Sequence, residues 1–284
     1  MRRRTILVTG SSGNLGSALV GALKDRHAVV QFDIREPADP SQHDIGPVFT
    51  GSITDPSIVA QAMDGVDTVI HCAAIPCSRK PYHELIETNV MGTFNVLEAA
   101  GNRKEVERFV FISSLTWHGV SEHPWTNRPL FLPINEDHPS LAVDYYPCSK
   151  VQAEYWCEKY AARFRKPVVA VRPPQIVPLK AQAECHAGPP PQHPHLNDYI
   201  GTTDLVDGIL RCMEYDPPGG FDRFLFSADD QRSTSPTLEL IDRYWPGVTC
   251  DREKLSLCEG FAAMLDCTHA REKLGWNPRF RCRR

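Results

Sequence analysis

No stretch of this 284-residue chain is apolar over the roughly 18 residues that a membrane-spanning helix needs, so no membrane partner is expected. A surplus of either charge is also lacking: 31 Lys and Arg stand against 35 Asp and Glu, a formal net charge of −4. Nucleic acids and anionic membranes draw on a marked basic excess. No nucleic-acid partner is therefore expected, and Arg2-Arg3-Arg4 reads as a solvated end. No secretory leader is expected, since no signal-peptide pattern precedes the first apolar strand. The ten cysteines are thus expected to be reduced thiols of a cytoplasmic protein, several of them inside strands and helices, as at Cys72, Cys157 and Cys212. Close paired-ligand spacing of the zinc type is absent too. Cys185, His186, His193 and His195 are spread through a proline-rich stretch, and no metal is expected.

What is present begins with Thr5–Thr9, a short β-branched run that reads as a buried strand. It runs into Thr9-Gly10-Ser11-Ser12-Gly13-Asn14-Leu15-Gly16, and the helical pattern Leu15, Leu19, Val20, Leu23 follows. Strand, glycine turn and helix start in this order form a dinucleotide fingerprint. Gly10 makes the tight turn, Gly13 lets backbone approach a pyrophosphate and Gly16 permits close helix packing, while the helix start at Asn14 and Leu15 faces the phosphates. The next strand, Ala28–Phe32, ends at Asp33, whose carboxylate can accept hydrogen bonds from ribose hydroxyls and repel a 2′-phosphate. That favours NAD over NADP, although Arg35 could weaken the preference.

Further along, Asp55-Pro56 reads as an N-cap with proline at the first helical position, opening a helix through Met63. A strand at 67–71 runs into Cys72-Ala73-Ala74, whose small side chains at a strand's carboxyl end leave room for a ligand. A long helix is expected from Tyr82 to Ala100, carrying Asn89, and then a strand from Arg108 to Ile112 ending in Ser113-Ser114. Strands and helices alternate throughout. This predicts an α/β fold, a Rossmann-type doubly wound parallel sheet with ligands at the strands' carboxyl ends. Residues 1–172 are expected to form the cofactor-binding domain and residues 173–284 a small substrate-binding portion that partly returns to the sheet.

The stretch Asp144-Tyr145-Tyr146-Pro147-Cys148-Ser149-Lys150 places Tyr146 and Lys150 four apart, on one face if a helix starts here. A nearby ammonium favours the ionised phenol and lowers its pKa from about 10 toward the range of a general acid/base.

Taken together, these residues resemble the extended short-chain dehydrogenase/reductase superfamily of NAD-dependent sugar epimerases and dehydratases. The resemblance is carried in order by the glycine turn at 9–16, His71-Cys72-Ala73-Ala74, Asn89-Val90-x-Gly92-Thr93-x-Asn95-Val96, Ser113-Ser114 and Tyr146-x-x-x-Lys150, with Leu274-Gly275-Trp276-x-Pro278 near the end. It implies Tyr146 as general acid/base and Lys150 as ligand of the nicotinamide ribose and modulator of the tyrosine. Ser114 would bond the reacting substrate oxygen, and Asn89 would hold the central helix and a water near the cofactor. Asp33, Ser52, Ile53, Cys72, Ala73, Ala74 and Pro174 would line the NAD site, and the helices carrying Asn89 and Tyr146 would form a homodimer.

Two departures from the family pattern bear on function. Ser52 stands where many relatives have an aspartate on adenine. Leu115 and Thr116 stand where sugar 4,6-dehydratases have Asp-Glu, so elimination of water lacks its acid and base and dehydration is disfavoured. The segment Ile176–Asn197 is short, rich in proline and histidine, and expected to be a loop. Relatives that act on nucleotide sugars have a longer insertion here. A smaller sugar-like substrate is therefore expected, with a nucleotide sugar as the alternative and a non-catalytic NAD(P) sensor as a third reading. Ser78, Arg79, Lys80, Trp117, His118 and Tyr199 are further pocket candidates, Gln175 stands where relatives often have a substrate-contacting asparagine, and Trp125 lies in a covering loop. Arg172 is expected to hold its loop, the helix after Tyr146 to bury Ala153, Trp156, Cys157, Tyr160 and Phe164, and the basic tail to fray.

Overall fold

A computed structural model describes residues 2–77, 81–121 and 127–283. Among them run strands β1 (Thr5–Thr9), β2 (Ala28–Asp33), β3 (Val48–Thr50), β4 (Thr68–His71), β5 (Arg108–Ile112) and β6 (Phe131–Leu132). Then follow β7 (Val168–Arg172), β8 (Gln175–Val177), β9 (Tyr199–Gly201), β10 (Phe221–Leu225) and β11 (Thr249–Cys250). Helices used below are α1 (Asn14–Leu23), α2 (Pro56–Ala62), α3 (Tyr82–Ile86), α4 (Thr93–Gly101) and α5 (Tyr145–Phe164). Two compact units interleave along the chain: 1–113, 149–170 and 212–222 form the first, and 114–148, 171–211 and 223–284 the second.

The first unit is built on a seven-stranded parallel sheet in the order β10-β7-β5-β4-β1-β2-β3. The order reverses beside β1, which pairs in parallel with β2 on one side and β4 on the other. Its central strands are continuous apolar runs because both faces are covered: Ile6, Leu7, Val8, Val69 and Ile70 are fully buried. Helix α1 buries Leu15, Gly16, Leu19, Val20 and Leu23, one stripe at helical spacing. Asp55 caps α2 by accepting from Ser57 N at 2.9 Å, with Pro56 at the first helical position as expected. Helix α5 packs Ala153, Cys157 and Tyr160 into the core with Phe109, Val168 and Ala170. Trp156, expected to be buried with them, is 38% exposed, against the rings of Phe94 and Tyr155. The expected helix from 82 to 100 is interrupted: residues Glu87–Gly92 form a π-helical turn between α3 and α4.

The second unit contains two parallel strand pairs, β6 with β11 and β8 with β9. Here several expectations are corrected. Cys185 and Cys282 form a disulfide, so the ten cysteines are not all reduced; the other eight are free. The segment after β8 is not wholly a loop, since Leu179–Gln182 is a helical turn. The tail does not fray through residue 283. Cys282 is buried, its backbone N–H donates to Tyr199 Oη at 2.6 Å, and Arg283 lies over the ring of Phe261 at 3.5 Å. Ser78, Arg79, Lys80 and Trp125 lie outside the described residues.

Candidate functional site

Within the first unit a cleft of about 360 Å³ opens at the carboxyl ends of β1, β2 and β4. Gly10, Gly13, Asp33, Ser52, Ile53, Cys72, Ala73 and Ala74 line it. Gly10 has φ +69°, and a Cβ there would stand 2.8 Å from Ala73 N, so only glycine lets the turn lie against the end of β4. A Cβ on Gly16 would lie 2.0 Å from Gly10 O, which explains how α1 starts so close beneath the turn. No side chain caps α1 at Gly13. The first N–H groups of Asn14, Leu15 and Gly16 therefore start the helix with its positive end uncapped, the arrangement that receives phosphate oxygens. Ser11 Oγ is buried in the same turn without a partner. These features fit a dinucleotide diphosphate.

Asp33 closes the far side of the cleft. Its Oδ2 accepts from Ser12 N at 3.0 Å and its Oδ1 from Arg35 N at 3.1 Å. A carboxylate has about four acceptor positions, so capacity for ribose hydroxyls remains. Ser52 turns inward on Thr54, whose N–H donates to Ser52 Oγ at 3.2 Å. Arg35, Thr54, Glu84, Glu87 and Thr88 line the cleft as well. The three at 84, 87 and 88 were not singled out from sequence, although their spacing is that of one helical face leading to Asn89.

Behind the cleft runs a buried polar chain. Thr93 Oγ1 donates to Asn89 O at 2.7 Å, so it accepts from His71 Nε2 at 3.0 Å. His71 Nδ1 is then the acceptor for the Thr9 hydroxyl at 2.6 Å, and Thr9 Oγ1 accepts from Ala73 N at 3.2 Å. Burial pushes His71 down to about 3, which keeps the ring neutral and the chain intact. Asn89 sits in the π-helical turn, its Oδ1 accepting from Ile75 N at 2.8 Å and its Nδ2 donating to Ile75 O at 3.0 Å and Ser149 Oγ at 3.1 Å. It thus ties the chain beyond β4 to α5. Lys150, on α5, is buried and donates to Ile112 O at 2.8 Å, with its ammonium 5.0 Å from the centre of the Phe111 ring. Burial lowers its pKa to about 8 against the raising influence of Cys72, Glu154 and Cys157. The Cys72 thiol is pushed up to about 12 by burial and stays protonated.

Ser114, Tyr146 and Pro174 belong to the second unit. Ser114 lies two residues past the end of β5 in sequence and is the N-cap of the turn Leu115–His118. Its Oγ accepts from Thr116 N at 3.2 Å and Thr116 Oγ1 at 3.0 Å, which leaves its own proton to donate. Tyr146 is half-buried in the first turn of α5, one turn before Lys150 on the same helix. Pro174 is buried between β7 and β8. Of the other candidates, Tyr199 is fully buried and donates to Asp230 Oδ1 at 2.5 Å, a structural role. Gln175 Oε1 accepts from Arg232 Nη2. Among the described residues no group of three His, Cys, Asp or Glu is placed to hold a metal ion, and Cys185 is committed to its disulfide.

Residues 6–181 match the model of the NAD dependent epimerase/dehydratase family. The chain is 35% identical over 127 residues to an NAD-dependent glucose-6-phosphate dehydrogenase of Haloferax volcanii, a match covering 43% of this chain and 47% of that protein, so the chain spans about half of that relative. It is 28% identical to a uronate dehydrogenase of Pseudomonas putida, over 80% of this chain and 77% of the relative. Among solved structures, a short-chain dehydrogenase/reductase superfamily protein from Agrobacterium tumefaciens with bound NAD superposes with a TM-score of 0.75 at 24% identity, covering 98% of this chain and 93% of that one. The glycine turn at the head of α1, the order of the sheet strands around β1 and the family match over more than half of the residues agree: the chain belongs to the NAD dependent epimerase/dehydratase family.

Proposed function

We propose that the protein is an NAD-dependent oxidoreductase or epimerase acting on a secondary hydroxyl of a small sugar or sugar acid. The observation that carries this reading is the cleft at the carboxyl ends of β1, β2 and β4, with its uncapped helix start and Asp33 at its edge. Gly10, Gly13 and Gly16 admit the diphosphate, Asp33 receives the ribose hydroxyls and favours NAD over NADP, and Ile53, Cys72, Ala73, Ala74 and Pro174 border the cofactor. NAD, when bound, supplies a hydride acceptor. Tyr146, as phenolate, takes the hydroxyl proton of the substrate, and Lys150 lowers the pKa of that phenol. Ser114, whose oxygen already accepts twice from Thr116, donates its proton toward the substrate oxygen as negative charge gathers there. Net oxidation results if the ketone or lactone leaves, and epimerisation if it is reduced on its other face.

The compact segment after β8 supports a small substrate over a nucleotide sugar, because it contains one helical turn and is tied to the tail by Cys185–Cys282. The relatives named above as acting on glucose 6-phosphate and uronate point the same way. We also propose a homodimer, formed through the exposed Met91, Tyr155 and Trp156 of the π-turn and α5. The test is Tyr146→Phe, which should abolish turnover while leaving NAD affinity within a few-fold; full activity in that variant would sink the mechanism. A thermal-shift screen with NAD present should give larger shifts with free sugars and sugar acids than with nucleotide sugars. The reverse ranking would move the assignment to the nucleotide-sugar class.

A further inference from the structure

Arg172 has no solvent exposure at all, and among the described residues it is the largest charged side chain so placed. A buried guanidinium is costly unless it is stacked or hydrogen-bonded, so its partners indicate what it is for. Its carbon lies 3.5 Å from the centre of the Trp117 ring. Its Nη1 lies 3.4 Å from His118 Nε2. His118 Nδ1 faces the carbonyl oxygen of His138 at 3.2 Å, which can only accept, so Nδ1 carries the proton and Nε2 is free to receive from Arg172. Burial and the neighbouring cation both hold His118 well below its ordinary pKa, in agreement with that neutral tautomer. The next residue, Pro173, accepts from Leu115 N at 2.8 Å. Arg172 and Pro173 therefore grip both ends of the four-residue turn that Ser114 caps.

We infer that Arg172 is a positioning residue: it holds the Leu115–His118 turn so that Thr116 presents its two donors to Ser114 and the serine proton is aimed at the substrate. This rests on the reading of Ser114 as the group that bonds the reacting oxygen. Lysine keeps the charge at this position but lacks a plane to stack on Trp117 and a fork to reach His118. Because Ser114 acts where charge develops in the transition state, loosening it lowers kcat and leaves substrate KM nearly unchanged.

The experiment is a double-mutant cycle on the full chain with NAD and a uronate, a sugar acid of the proposed class, as the substrate. Arg172→Lys should lower kcat by about 10–100-fold, yet by less than about 3-fold when introduced into Ser114→Ala, because the group it aims is already gone. Equal losses in both backgrounds, or a loss in KM alone, would overturn the inference. Full turnover in Ser114→Ala would instead overturn the reading of Ser114 beneath it, so the two failures are distinguishable. Should Arg172→Lys not fold, Trp117→Leu removes the stacking face from the other side. It should show the same dependence on Ser114, and Trp117→Phe should restore most of the loss; independence from Ser114 would again refute the proposal.

Discussion

The Lys150 ammonium donates to the carbonyl oxygen of Ile112 at 2.8 Å, a buried bond that joins α5 to the carboxyl end of β5. Burial depresses the pKa of this lysine from 10.5 to about 8. Between those two values this lysine is protonated in the unfolded chain and not in the folded one, so its contribution to stability rises with pH across the window. Below pH 8 the ammonium costs stability in full, on the order of 3 kcal/mol. Chemical denaturation from pH 7.5 to 10.5 should show the stability of the unaltered protein rising relative to Lys150→Met, since the buried thiols oppose the rise equally in both, and the variant should lose at least about 100-fold in kcat. A stability difference between the two proteins that does not change with pH would contradict the burial argument.

Two glycines of α1 should respond in opposite ways. Alanine at Gly16 would place its Cβ 2.0 Å from Gly10 O and force turn and helix apart, costing about 1–3 kcal/mol. NAD-dependent thermal stabilisation should fall with it. Alanine at Gly21 meets nothing within 4 Å and should stabilise by about 0.4–1 kcal/mol with NAD binding unchanged.

Asp198 gives a second pH signature, of opposite sign. It is buried, its Oδ1 accepts from Met264 N at 2.9 Å, and its Oδ2 has no partner. Burial raises its pKa from 3.8 to about 8, so the folded protein binds more protons than the unfolded chain across that window and stability falls as pH rises through it. Asp198→Asn keeps the acceptor and removes the charge. Thermal melts should show no advantage for this variant near pH 4 and a gain on the order of 1–3 kcal/mol by pH 8.

The Cys185–Cys282 bond closes a sequence separation of 97 residues. Restriction of the unfolded chain by such a loop contributes about 2–4 kcal/mol. Melting with and without dithiothreitol should differ by several degrees, and Cys282→Ser should melt as the reduced protein does and be insensitive to reductant. The eight free thiols serve as the internal control, since alkylation of the native protein should leave both sulfurs of this bond unlabelled.

The cofactor cleft could be read from the chain because its determinants are local. A glycine turn between a strand and a helix, an acid at the end of the next strand and small residues at the end of another define their own backbone geometry and need no distant partner. Eight of the residues expected to meet the cofactor line this cleft, while Asn14, Leu15, Gly16, Asn89, Tyr146, Lys150 and Pro174 are not among its lining. The alternation of strand and helix likewise determined the doubly wound sheet, since parallel strands require crossovers. The interrupted helix at 87–92, the chain from Thr9 through His71 to Thr93 and the burial of Tyr199 were not readable. Each depends on which side chains meet across strands far apart in sequence, and a period of 3.6 does not distinguish an α turn from a π turn. The pairing of Cys185 with Cys282 belongs to the same class, because cysteine positions do not encode connectivity. Sequence alone thus determined the cofactor fold and the identity of Tyr146, Lys150 and Ser114 as candidates. Only the tertiary structure decided that Lys150 is anchored on Ile112 and that Arg172 is stacked on Trp117, because a buried cation takes its partners from whatever the fold brings to it.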